Sequence, residues 1–186
     1  MFIDNGDNTF TVRFFNNGVA DYVTVYRFLP TNSSGNLVYA GAGANATNTA
    51  NELWVALAEK AYAQLAESGW SRGSATNSYA AIEGGWMDNV MKQVTALNVS
   101  EGSIDGSTSS MTKQQLIDLV GSNKLLTAGF VNGANYGVVN NHAYTITSYN
   151  ATAGTFRLRN PWATQHADVT WDQLVSLKAI VQWTIA

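Results

Sequence analysis

The chain reads as an α+β protein with a mostly antiparallel sheet, and three features of its pattern predict this. Segments with the period-2 alternation of strands stand at both ends, segments with helical spacing gather in the middle, and the last strand-like runs follow one another closely enough to pair in sequence. No strand–helix–strand rhythm recurs, so a doubly wound parallel sheet is not expected.

Phe10 to Phe15 alternates, Asn16-Asn17-Gly18 interrupts, and Tyr22 to Phe28 alternates again, giving two strands joined by a turn that needs positive φ. Leu29-Pro30-Thr31-Asn32-Ser33-Ser34-Gly35 breaks the hairpin, Leu37 to Ala40 adds a short strand, and the small residues Gly41 to Asn48 form the softest internal boundary. The expected organisation is an N-terminal hairpin and linker over 1–48 and a main body over 49–186. Thr49 with Glu52 makes a capping-box pattern, and the helix it opens runs to Glu67 with Trp54, Leu57, Ala58, Ala61 and Leu65 on one face. Gly69 to Asn77 is a flexible stretch. Gly84-Gly85 then makes a tight bend ahead of a second helix marked by Met87, Val90, Met91, Val94 and Leu97. Ser100 to Ser110 has no apolar period and reads as a loop, and Thr112 with Gln115 caps a short helix ending near Gly121. The strand-like runs Leu125 to Val131, His142 to Tyr149, Thr155 to Asn160 and Ala179 to Ile185 follow, with one or two helical turns over Trp171 to Leu177.

Size and composition narrow the function classes. At 186 residues the chain is one domain or a piece of one, and a core of that size needs no staples. Charged residues make up only 12% while Asn, Thr, Ser, Ala and Gly abound, a composition that points to an exported or cell-surface bacterial module. A net charge of −3, with ten scattered Lys and Arg, leaves no basic footprint for nucleic acid. No apolar stretch is long enough to span a bilayer, and the N-terminus lacks the basic and apolar regions of a signal peptide, so no membrane partner is expected. With no cysteine, disulfides and thiolate metal sites are excluded, and the two histidines have no spacing that would hold a structural zinc.

The residues with chemistry to offer are His142 and Asn160. His142 opens an alternating run in which Tyr144 and Ile146 share its face. If Asn150 to Gly154 closes a hairpin, Phe156, Leu158 and Asn160 pair back toward Ile146, Tyr144 and His142, which places Asn160 beside His142. An amide oxygen accepting from one ring nitrogen fixes the tautomer and leaves the other nitrogen as a base, and Trp162 can shield the pair. The alternative is structural: His142 as a satisfied strand histidine, Asn160 as the cap of an Asn-Pro turn, Trp162 as core. His166 reads as a surface loop residue.

Four segments in order carry a resemblance: Glu52 to Ala63, Asn77 to Gly85, Asn141-His142-Ala143-Tyr144 and Leu158-Arg159-Asn160-Pro161-Trp162. Together they resemble the second half of a calpain catalytic domain, over nearly the whole chain from about Phe10. The resemblance implies a papain-like fold in two halves, a helical one carrying the nucleophilic cysteine and a sheet-rich one carrying His and Asn. Residues 1–48 would then be the end of the first half and 49–186 the second. His142 is implied as general base, Asn160 as its orienter and Trp162 as shield. Gly84 and Gly85 are implied at the cleft wall, where a substrate backbone can approach, although a mere turn serves as well. The implied partners are a polypeptide substrate and a Cys-bearing helical subdomain, upstream or in trans, and an exposed cleft face would allow self-association. The chain departs from the family in having no nucleophile and in carrying Tyr26-Arg27-Phe28 where an acidic pair is usual. It also has only Asp168 and Asp172 after Trp162, too few for the calcium that some members bind, so no cofactor is expected.

Three functional readings follow. The chain is the His/Asn-bearing part of a cysteine endopeptidase, inactive by itself; or it is a degenerate module kept as a peptide- or protein-binding scaffold; or it is a surface structural domain, which accounts for the composition but not for the four motifs.

Overall fold

The structure is a computed structural model that describes residues 2–40, 53–131, 133 and 135–185. Within it the chain divides into two compact units, one of residues Met1–Gly85 with Gln93–Ala96 and one of Trp86–Lys92 with Leu97–Ala186. The softest boundary expected from sequence, at 41–48, and the capping pair Thr49 and Glu52 lie outside the described residues.

The first unit holds a three-stranded sheet in the order β1 (Phe2–Asp4), β2 (Thr9–Asn16) and β3 (Val19–Tyr26), with every pairing antiparallel. The hairpin forms as its alternation requires. Val12 and Phe14 on β2, with Val23 and Val25 on β3, are buried, while the turn between them places Asn17 and Gly18 at φ 48° and 83°. Helix α1 (Trp54–Leu65) lays Ala56, Leu57, Ala61, Tyr62 and Leu65 into this core, and the Tyr62 ring lies 5.7 Å from that of Phe14. Trp54, expected on the buried face, is 53% exposed and meets the edge of Phe2 on the short β1 that the sequence did not disclose. Leu37 to Ala40 makes no strand. Among the described residues its one ladder contact is a bridge from Leu37 to Thr31, because Asn32 gathers the Ser34 and Asn36 amides into a local turn instead.

The second unit is built on a six-stranded antiparallel sheet in the order β4 (Asn98–Ile104), β9 (Ala179–Ile185), β5 (Leu126–Phe130), β6 (His142–Asn150), β7 (Thr155–Arg159) and β8 (Ala167–Thr170). Alternate residues Leu126, Ala128 and Phe130, Tyr144 and Ile146, Phe156 and Leu158, and Ala179 and Val181 are buried together with Leu116 of helix α3 (Lys113–Val120) and Leu174 of helix α4 (Trp171–Ser176). The first of these helices opens on the expected cap, and the second on one the sequence reading did not name. Thr112 and Gln115 form a reciprocal capping box at α3, and Thr170 with Gln173 repeats it at α4. The bend at Gly84-Gly85 is also present, with φ of 72° and 131°, ahead of α2 (Met87–Thr95), although of the five apolar residues expected on one face of that helix only Met91 is buried.

Two strands of this sheet were not legible. Asn98–Ile104 runs from Ser100 onward through the segment read as a loop, yet it pairs with β9 from Asn98↔Ile185 to Ile104↔Ala179. Only Ile104 is buried there, so this edge strand has no apolar alternation to show. Its place is set by pairing, by the 2.6 Å bond from Gln182 Nε2 to Glu101 Oε2, and by Gly102, where an added Cβ would meet Met111 Cε at 2.9 Å. β8, Ala167–Thr170, is four residues long and equally cryptic.

Phe156 is fully buried at the centre of the second core, whereas Val19 is 70% exposed on the hairpin of the first unit. Phe156→Ala is expected to cost about 3–5 kcal/mol and Val19→Ala less than about 0.5 kcal/mol, read as shifts in the urea unfolding midpoint. Equal shifts for the two would contradict this assignment of the core.

Candidate active site

His142 is the first residue of β6, and what precedes it is held by backbone amides that donate to side chains. Asn141 is at φ 50°, the Gly133 amide donates to Asn140 Oδ1 at 3.0 Å, and the Val139 amide donates to the Tyr144 hydroxyl at 3.0 Å. Tyr144 is buried two residues along the strand on the same face as His142, and its ring meets the imidazole edge-on, with centroids 5.2 Å apart at 88°.

Asn160 follows the last residue of β7, and the Asn-Pro pair starts a turn there. The Ala163 amide donates to the Asn160 carbonyl at 3.1 Å, with Pro161 at the position whose φ the ring presets. The Asn160 side chain closes a second, smaller loop, its Oδ1 accepting from the Trp162 amide at 3.0 Å. The same oxygen lies 2.9 Å from His142 Nε2. Asn160 is wholly buried.

These two contacts locate a proton. A backbone N–H can only donate, so the Asn160 atom facing it must be the oxygen. Because that oxygen carries no hydrogen, His142 Nε2 must supply the one between them. The neutral His142 ring is therefore the Nε2–H tautomer, with its lone pair on Nδ1. Trp162 lies against the other side of the pair: its ring centroid is 4.3 Å from that of His142, inclined at 39°. It covers the imidazole while remaining 57% exposed, so it is not a core residue.

The expected proximity of Asn160 and His142 is thus present, but by a different register. Thr145 pairs with Arg159 and Ile146 with Leu158, then a bulge at Thr147 shifts the ladder so that Ser148 faces Arg157. Phe156 accordingly pairs with Tyr149 and not with Ile146. Continuing the ladder past Arg159 puts Asn160 opposite Tyr144, with His142 its diagonal neighbour on the same face.

His166 departs from the reading as a surface loop residue. It is partly buried, immediately ahead of β8, and its Nδ1 accepts from the Asn160 amide at 3.1 Å. A six-residue separation across an irregular loop gave no periodic signal that could have revealed this. Gly84 and Gly85 belong to the first unit. Arg72 Nη2 donates to the carbonyls of Ile82 and Gly84, and a Cβ on Gly85 would run into the Arg72 guanidinium, while among the described residues nothing lies within 4 Å of the corresponding position on Gly84. Asp168 is paired to Arg157 at 2.6 Å, and among the described residues no group of three His, Asp or Glu side chains gathers as a metal site.

A family model described as calpain family cysteine protease matches residues 3–182. The chain belongs to the calpain family of cysteine proteases. It is 29% identical over 182 residues to the calpain-type cysteine protease DEK1 of Arabidopsis thaliana and to that of Zea mays, and equally to the calpain-type cysteine protease ADL1 of Oryza sativa subsp. japonica. In each case the match takes in 90% of this chain and 8% of the relative, so the calpain segment seen here spans a small part of those proteins. These relatives are plant proteins, and they give the bacterial source read from composition no support.

The Tyr144 hydroxyl is the acceptor for Val139 in the approach to His142. Tyr144→Phe should keep the core packing yet leave that amide without its partner, costing about 1–3 kcal/mol and speeding Val139 amide exchange. Unchanged exchange at Val139 would show that the hydroxyl does not hold this segment.

Proposed function

We propose that this chain is the His/Asn-bearing part of a calpain-type cysteine endopeptidase, with His142 as general base, Asn160 as its orienter and Trp162 as its shield. The single observation that carries the reading is the Asn160 oxygen shared between the Trp162 amide and His142 Nε2, at 3.0 and 2.9 Å, since it leaves the Nδ1 lone pair as the one available base on the ring. A cysteine thiol delivered to that nitrogen would give up its proton, forming a thiolate–imidazolium pair. The thiolate then adds to a peptide carbonyl, the imidazolium returns the proton to the departing amine, and water releases the acyl group from sulfur with the ring again as base. This chain has no cysteine, so it cannot carry out the first of these steps alone, and the thiol is assigned to a Cys-bearing segment joined to it or acting in trans. The Gly84-Gly85 turn is proposed as backbone that a substrate chain approaches, a reading supported by the open Cβ direction at Gly84.

The test uses the full-length protein and a casein or peptide substrate. Activity blocked by a thiol alkylator, and a kcat lowered about 10²–10⁴-fold by His142→Ala, is the expected result. A full-length protein that lacks a thiol at the nucleophile position yet still binds peptides would transfer the chain to the scaffold reading. Activity untouched by His142→Ala would sink the assignment of the base.

A further inference from the structure

We propose that His166 is a positioning residue for the His142–Asn160 pair and acts through the backbone of Asn160. The β7–β8 ladder ends at the pair Leu158↔Ala167, just short of Asn160, so no strand partner continues to receive the Asn160 amide. His166 stands one residue before β8 begins, and its ring nitrogen takes that amide at 3.1 Å, where a ladder carbonyl would otherwise serve. The amide can only donate, so His166 Nδ1 must be unprotonated and its neutral ring is also the Nε2–H tautomer.

The loop that brings His166 there is itself unusual. Ala163 and Gln165 both lie in the left-handed region, at φ 61° and 53°, a conformation that costs a non-glycine residue roughly 1–2 kcal/mol and persists only where the surroundings impose it. The result is that Asn160 is gripped at three points. Its amide is held by His166, its carbonyl by the Ala163 amide, and its Oδ1 by Trp162 and His142. Releasing the first grip frees rotation about the Asn160 backbone and so moves the oxygen that dictates where the His142 proton resides. The catalytic meaning of this rests on the reading of His142 and Asn160 given above, whereas the geometry stands by itself.

The chain contains two histidines, so ¹⁵N spectra of the intact chain hold only two imidazole patterns. Uniformly labelled protein is expected to show a scalar coupling across the N–H···N bond between the Asn160 amide and His166 Nδ1, with both rings protonated at Nε2. In His166→Ala the Asn160 amide should exchange about tenfold faster, the equivalent of ~1.4 kcal/mol, and His142 should lose its single-tautomer signature. His166→Asn, whose side-chain oxygen can accept from the same amide, should restore both. Absence of the coupling in the unmutated chain overturns the proposal before any variant is made. So does a His142 ring unchanged in His166→Ala when Asn160→Ala shifts it, and in that case the functional reading survives. If Asn160→Ala leaves the His142 ring unchanged as well, the pairing fails and the functional reading fails with it.

Discussion

One oxygen atom fixes the chemistry of this site. Asn160 Oδ1 sits between two donors, the Trp162 amide and His142 Nε2, and because the first is incapable of any other role the second is left no choice. Burial makes the constraint firm, for Asn160 is wholly excluded from solvent and an amide turned the wrong way would set N–H against N–H in a medium that screens little. The arrangement is not free. Asn160 Nδ2 is buried without a hydrogen-bond partner among the described residues, a debit of about 1–3 kcal/mol that the two bonds to Oδ1 must offset. A pocket selected only for stability would more readily carry an apolar residue there, and a tolerated cost of this kind is what functional sites leave behind.

The sheet delivers the oxygen through an irregularity and not through a regular ladder. Thr147 is an extra residue on β6, and the resulting bulge lets Leu158 face Ile146 while Tyr149 faces Phe156. Had the strands paired without it, the same turn at Asn150 to Gly154 would have left Thr155, Phe156 and Arg157 where they are but set Leu158 against Thr147 and Arg159 against Ile146. With the bulge, Asn160 lies beyond the ladder opposite Tyr144, and its side chain reaches diagonally to His142. Tyr144 meanwhile braces the ring edge-on and, through its hydroxyl, holds the Val139 amide in the approach to the strand. The position of the His142 ring thus depends on packing, on the register and on the loop before it, all meeting at one tyrosine.

Much of this was written in local chemistry and could be read there. The Asn-Asn-Gly turn, the capping boxes at Thr112 and Asn160's place after a β run all follow from residue types acting on their near neighbours. What stayed hidden was set at a distance. β4 has almost no apolar side chain to bury and is a strand because β9 offers it an edge. The bulge at Thr147 changes register without any glycine to announce it. His166 is connected to Asn160 by left-handed residues, Ala163 and Gln165, whose identities give no hint that the chain turns there. Trp162 illustrates the opposite case: a large aromatic that composition would assign to a core stays more than half exposed, held by the imidazole it lies against.

The structural and catalytic readings of Asn160 describe the same geometry. As the cap of an Asn-Pro turn it must accept the Trp162 amide, and accepting it orients the carbonyl group so that the remaining lone pair points at the strand carrying His142. The turn cap is therefore the device that assigns the proton. It follows that the segment from Asn160 to Trp162 acts as one unit: proline presets the turn, the asparagine oxygen reads out the turn's geometry, and the tryptophan that supplies the amide also covers the ring being oriented. With Nε2 committed to Asn160, the neutral ring keeps its lone pair on Nδ1, so the turn at Asn160 to Trp162 decides which single nitrogen of His142 is able to accept a proton.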